Sequence, residues 1–184
     1  DCLLSRGLGD VYKRQQYIFG DCAINPELDV QGLAEIAVES AKSAQSFGMD
    51  PKVAMLSFST KGSAKADDVT KVQDALKLAQ DKVEADHLDN VVIDGEFQFD
   101  AAIVPSAAEK KAPGAKIQGD ANVFVFPSLE AGNIGYKIAQ RLGGYDAVGP
   151  VLQGLNSPVN DLSRGCSTED VYNLSIITAA QSLQ

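Results

Sequence analysis

One histidine, three cysteines and no long apolar run narrow what this sequence can encode before any motif is read. His87 lies in the polar stretch EADHLDN. Without a second imidazole a His-based zinc centre is disfavoured, and without apolar surroundings to tune it His87 reads as a surface residue. Cys2, Cys22 and Cys166 are too few, and odd in number, for a disulfide scaffold. The expected compartment is therefore a reducing cytoplasm. No apolar run approaches the ~20 residues of a bilayer span, and the start of the chain lacks a secretory apolar region. Positive charge is also scarce, with 16 Lys and Arg against 25 Asp and Glu and a net charge of −9. Broad binding to nucleic acid or to an anionic membrane is disfavoured. A local cationic pocket for a small anion is compatible with these numbers.

What is present is ordinary globular material. The chain has 184 residues, 45% hydrophobic and 22% charged, enough for one domain or two small ones. Residues 1–15, DCLLSRGLGDVYKRQ, do not continue into the pattern that follows and carry a net +1 against −10 for the rest. They resemble peptides translated from library-adapter DNA and are expected to be a non-native leader, contributing no predicted element. From Tyr17 strands and helices alternate. YIFGDCAI, VAMLSFS, NVVIDGEF, ANVFVFPSL and AVGPVLQGL read as strands. Leu33, Ile36, Ala37, Ala41, Ala44 and Phe47 recur three or four apart and predict a helix ending near Gly48. Val69, Val72, Leu76, Ala79 and Val83 form a second such stripe, read as core packing. DAAIVPSAAEKK predicts a helix interrupted at Pro105, EAGNIGYKIAQRLGG a helix ending at Gly143 or Gly144, and TEDVYNLSIITAAQSL the last helix. Alternation of this kind predicts an α/β fold with a mostly parallel sheet flanked by helices.

Ligands of such sheets bind where strands run into helices. NDLSRGCSTED, Asn160 to Asp170, holds that position between the fifth strand and the last helix. Gly165 permits a tight turn after Arg164. Ser167 reads as a helix N-cap, with Asp170 three residues on. The helix start offers free amide N–H groups and a positive dipole end to an anion. Arg164 adds a guanidinium fork that matches phosphate oxygens, and Ser163 adds a hydroxyl donor. From residue types alone this is either a small-anion site or a well-capped helix beside a surface arginine.

The run NVFVFPSLEAGNIGYKIAQRLGGYDAVGPVLQGLNSPVNDLSRGCSTEDVYN, with MLSFSTKGSA and FGDCAINP, resembles the C-terminal region of the phosphate acetyl/butyryltransferase family. The resemblance covers residues 16–184. It implies transfer of an acetyl group between CoA and inorganic phosphate, with CoA as a substrate and no permanently bound cofactor or metal. It implies that Asp170 takes the CoA thiol proton, that Ser163 donates a hydrogen bond in the reacting centre, and that Arg164 holds the phosphate of acetyl phosphate. Asn133, Gly154, Asn160 and Asp161 are candidates to line the cleft, although helix capping explains Asn133 equally well. Asp170 as a base faces a mismatch. An ordinary carboxyl near 3.9 and a thiol near 8.5 lie ~4.6 units apart, about 6 kcal/mol, so burial that raises the aspartate is expected. Cys166 reads as a packed small residue, Lys61 as a solvated loop lysine, and Gly62 and Gly154 as turns or close backbone approaches.

The family resemblance also implies an isocitrate/isopropylmalate dehydrogenase-like fold and a homodimer. Residues 16–148 correspond to its middle domain and 149–184 to a tail of a first domain otherwise missing, so the chain is expected to be an N-terminally truncated fragment. Its last strand and helix should leave an edge and apolar surface exposed. Phosphate butyryltransferase is the alternative within the family. A non-catalytic CoA or phosphate-binding module is the alternative of another class. An NAD-dependent decarboxylating dehydrogenase would need a compact acidic trio for a divalent metal, which the sequence does not present.

Overall fold

The structure, a computed structural model, describes the backbone of residues 2–7 and the whole of residues 16–162 and 164–183. Among these, six strands build one sheet: β1 (Cys2–Gly7), β2 (Gln16–Gly20), β3 (Lys52–Leu56), β4 (Val92–Phe97), β5 (Val123–Val125) and β6 (Tyr145–Val151). Their spatial order is β4-β3-β5-β2-β1-β6. The pairs β2/β5, β3/β5 and β3/β4 are parallel. β1 runs antiparallel to both β2 and β6. The mostly parallel α/β expectation therefore holds. β1 is an addition that the sequence pattern did not assign. The rest of the leader, apart from that strand, lies outside the described residues.

The helices are α1 (Val30–Ser46), α2 (Asp67–Ala85), α3 (Phe99–Ile103), α4 (Pro105–Lys111), α5 (Leu129–Gly143) and α6 (Thr168–Gln181). Their ends follow from local chemistry. Asp29 caps α1 by accepting from the Gly32 N–H at 2.7 Å. Gly48 and Gly144, at φ 73° and 71°, take the left-handed conformation that ends α1 and α5. Pro105 opens α4 because a proline lacks the N–H that would continue α3.

Strand alternation sorts the core into two layers. Ile18, Val53, Met55, Val123 and Val125 face one way and pack with α1, α2 and, through Leu174 and Ile177, with α6. Tyr17, Phe19, Ala54, Leu56, Phe124 and Phe126 face the other way and pack with α3, α4 and α5. The second layer is aromatic. Phe19 meets Phe124 edge-on at 5.6 Å, and Tyr17 meets Tyr145 edge-on at 6.4 Å.

β4 is one edge of the sheet, yet most of it is buried. Side chains and loops occupy its free groups: Gln80 donates to the Ile93 carbonyl at 2.8 Å, and Lys61 Nζ to the Gly95 carbonyl at 2.5 Å. Lys61 also pairs with Asp94 at 2.5 Å and lies 5.0 Å from the centre of the Phe97 ring. It is thus not the solvated loop lysine expected from its neighbours, because its partners lie over 30 residues away in sequence and could not be read locally. Gly62 and Gly154 serve turns: both have positive φ, and a Cβ would meet nothing within 4 Å. At the opposite edge, among the described residues, β6 ends the sheet, paired with β1. Ile134, Ile138 and Leu142 of α5 and Val171, Tyr172 and Ile176 of α6 are exposed. Among the described residues no helix is long and apolar enough to cross a membrane.

Candidate active site

α6 begins with the capping box that the spacing predicts. The Ser167 hydroxyl accepts from the Asp170 N–H at 3.1 Å, and the Asp170 carboxylate accepts from the Ser167 N–H at 2.7 Å and its hydroxyl at 2.9 Å. Those bonds, the backbone one first, hold the Asp170 carboxyl below the ordinary carboxylate range against a small opposing effect of burial. Asp170 is only partly exposed, but it is not the desolvated, raised acid that a strong base would need. The reason is physical. A reciprocal N-terminal cap stabilises the charged form, and the described residues leave the carboxylate partly exposed.

Asp170, Ser167, Cys166 and Gly165 line a hollow of about 500 Å³. Its opposite wall is α5, with Tyr136, Lys137, Gln140 and Arg141, and its floor includes Ala147, Gly149 and Pro150 of β6. Ala23 closes one side. That residue is placed by Asp21, a fully buried acid at the end of β2 whose Oδ1 accepts from the Ala23 and Ile24 N–H groups at 2.9 and 3.1 Å. Burial pushes the Asp21 carboxyl up, and the N–H groups of Ala23, Asn25 and Ile24 outweigh it to leave a net lowering. α5 presses against the same loop at Gly132, where a Cβ would lie 2.2 Å from the Asp21 carbonyl oxygen. A smaller hollow of about 240 Å³ adjoins the first and shares Asp170, Ser167, Gln140 and Ala147 with it. The arrangement can hold an anion: helix-start amides and two cations, Lys137 and Arg141, surround one carboxylate acceptor.

The other predicted site residues are not all gathered there. Arg164 is exposed on the turn immediately before Gly165, and its side chain is not part of the lining. Ser163 lies outside the described residues. Asn133 is neither a cap nor lining: Ser128 caps α5, and the Asn133 amide donates to the Cys22 carbonyl at 3.0 Å while its oxygen accepts from Lys137 at 2.8 Å. Gly154 lines a separate hollow against α1. Asn160 borders a third, its amide used to tie the turn to α6. Asp161 is exposed and accepts from the Leu162 N–H at 2.8 Å. Cys166 is exposed rather than packed, because the turn holds it at the mouth of the hollow and not beneath it. Lys137 and Arg141 were missed. Their signal was present: two cations four apart on one helix, directly before the strand that leads into the turn. Among the described residues no group of acids, histidines or cysteines is arranged to hold a metal ion.

The sequence profile of the phosphate acetyl/butaryl transferase family matches residues 4–179. The chain belongs to that family. It is 94% identical over 170 residues to the phosphate acetyltransferase of Staphylococcus epidermidis strain ATCC 12228, covering 92% of this chain and 52% of that protein. It is 88% identical over 170 residues to the phosphate acetyltransferase of Staphylococcus aureus strain Mu50, with the same coverage. Among solved structures, the EutD phosphotransacetylase from Staphylococcus aureus superposes with a TM-score of 0.92 at 82% identity, over 99% of this chain and 54% of that one. A phosphotransacetylase from Streptococcus pyogenes gives 0.90 at 54% identity, over 100% and 54%. The chain spans about half the length of the phosphate acetyl/butaryl transferase relatives it matches.

Proposed function

We propose that the hollow between α5 and the start of α6 forms part of a site for acyl transfer between CoA and inorganic phosphate, acetyl-CoA plus phosphate giving acetyl phosphate plus CoA. The observation that carries this reading is the convergence of Asp170, Cys166 and Ser167 with Lys137 and Arg141 on one hollow, in a chain of this family. In the acetyl phosphate direction of attack, the CoA thiol gives its proton to Asp170 as sulfur adds to the acetyl carbonyl. The bond from that carbon to the phosphate oxygen breaks, and phosphate leaves into the cationic rim. Lys137, Arg141 and the α6 amides receive its charge, with Arg164 reaching in from the turn and Ser163 donating a hydrogen bond. An aspartate held below its ordinary range is a weak base toward a thiol near 8.5, a gap of at least about 6 kcal/mol. Proton transfer is therefore concerted with carbonyl attack rather than completed before it.

CoA is a substrate in this scheme and not a resident cofactor. Acetyl is the favoured acyl group because the relatives at 88–94% identity bear the name phosphate acetyltransferase. Comparing acetyl with butyryl phosphate tests that choice, at roughly 1–3 kcal/mol per methylene. A homodimer belongs to the same proposal and is read by sedimentation equilibrium. The decisive assay uses the full-length relative with matching changes. Arg164→Ala and Arg141→Ala should each raise KM for acetyl phosphate, and wild-type values in both would end the proposal. Assayed alone, this chain is expected to turn over little. CoA binding by calorimetry without turnover would instead describe it as a binding module.

A further inference from the structure

The base of the turn that carries Arg164 is held by a ring of amide hydrogen bonds for which the proposed chemistry has no use. Asn160 Oδ1 accepts from the Leu152 N–H at 2.7 Å. Its Nδ2 donates to Thr178 Oγ1 at 2.8 Å and to Gln181 Oε1 at 2.7 Å. Gln181 Nε2 then donates to the Leu152 carbonyl at 3.1 Å. Both polar groups of the residue just past β6 are thereby tied, through Asn160 and Gln181, to the last turns of α6. The direction of the ring is fixed. Thr178 gives its own hydroxyl hydrogen to the Leu174 carbonyl at 2.7 Å, so it can only accept from Asn160. Reversing the Asn160 amide would set oxygen against two acceptors and N–H against N–H. One residue further, Gln153 continues the attachment into α1. It accepts from Ser43 at 2.9 Å and donates at 3.3 Å to Ser40, which is fully buried.

At the far end of the same turn stands the Ser167–Asp170 capping box. Asp161, Leu162 and residues 164 to 166 thus lie between two polar anchors, mostly exposed, with Leu162 lining the hollow. We propose that Asn160, with Thr178 and Gln181, is the positioning residue of this turn: it touches no reactant and sets where Arg164 and the start of α6 stand relative to the hollow. The consequence for turnover rests on the acyl-transfer reading. A displacement of ~1 Å at a reacting centre can cost ~10²-fold in rate, so a hydrogen-bonded base for the turn is worth more to the site than to the fold.

Two measurements test this. Hydrogen exchange on this chain should show the amides of Leu162 and of Arg164, Gly165 and Cys166 exchanging about tenfold faster or more in Asn160→Ala. Asn160→Asp should not rescue them, since its second oxygen faces two acceptors. Unchanged exchange overturns the proposal, and if Asn160→Ala does not fold, Gln181→Ala carries the same test. In the full-length relative, the matching Asn160→Ala should raise KM for acetyl phosphate about tenfold, within that ~10²-fold limit. A merely structural role would lower apparent kcat with the folded fraction and leave KM unchanged, and that result also overturns the proposal. Arg164→Ala and Arg141→Ala together separate the two readings. If both leave KM unaltered while exchange in Asn160→Ala accelerates, the acyl-transfer reading fails and Asn160 stands as the anchor of the turn.

Discussion

Glu96 and Asp170 are both carboxylates held by neighbouring hydrogen bonds, in two very different places. Glu96 is almost wholly buried at the end of β4. Its Oε1 accepts from Ser59 and from the Gly62 N–H, each at 2.7 Å, and its Oε2 from Gln73 at 3.0 Å. Burial pushes its carboxyl up, and the bonds from Gly62, Gln73 and Ser59 outweigh it to leave it lowered. Asp170 stands at the mouth of a hollow, held, among the described residues, by Ser167. An acid satisfied on every side fixes the loop around it and is spent on doing so. An acid with a single partner keeps lone pairs for a reactant. The contrast places Glu96 in the architecture and leaves Asp170 open to the chemistry proposed for it.

The comparison breaks most visibly at Asp170. Asp170→Asn in the full-length relative is expected to cut kcat/KM by ~10²–10⁴-fold, the usual worth of a general base. Thermal unfolding of the same variant should shift by less than about 1 kcal/mol; normal turnover would move Asp170 to the architectural side. Glu96→Ala is the mirror experiment. It strands the Gly62 N–H, the Ser59 hydroxyl and the Gln73 amide, and should cost about 3 kcal/mol in urea unfolding. A loss well under 1 kcal/mol would mean that solvent replaces those bonds.

Acid pH sharpens the contrast further. Asp21, Glu96 and Asp170 all have carboxyls lowered in the folded chain. The unfolded chain therefore takes up their protons first. Their stabilisation is complete above about pH 4, where ordinary carboxyls ionise, and is lost as pH falls below that through the lowered folded values. Unfolding midpoints should drop on that acid side. Replacing Glu96 should flatten the drop more than replacing the partly exposed Asp170, and equal flattening would erase the distinction drawn here. Ser167→Ala is expected to lose about 1 kcal/mol of stability with the cap, measured by the same unfolding.

Much of this fold was legible because its signals are local. The continuous apolar run Val53, Ala54, Met55 and Leu56 marks a strand buried on both faces, and the Ser167–Asp170 spacing marks a helix start to the residue. What escaped was non-local. β1 lies in a stretch whose composition differs from everything after it, and its pairing with β6 spans nearly the whole chain. Lys61 looked solvated because Asp94 is 33 residues away. Cys166 looked packable because a small apolar residue beside a helix start does not reveal which way the turn faces. For the site, the turn itself was readable, while its opposite wall gave only the spacing of two cations on one helix. Lys137 and Arg141 acquire meaning only once α5 is laid beside α6.

The edge-on meeting of Tyr17 with Tyr145 has a practical use. The sequence holds no tryptophan and five tyrosines, so near-ultraviolet dichroism of the native protein is carried by tyrosine rings in asymmetric surroundings. Tyr145 opens the strand that leads to the turn, whereas Tyr17 belongs to the central sheet. A Tyr145→Phe chain would isolate the part of that optical signal that vanishes when the C-terminal segment peels away from the sheet, giving a label-free readout of its docking.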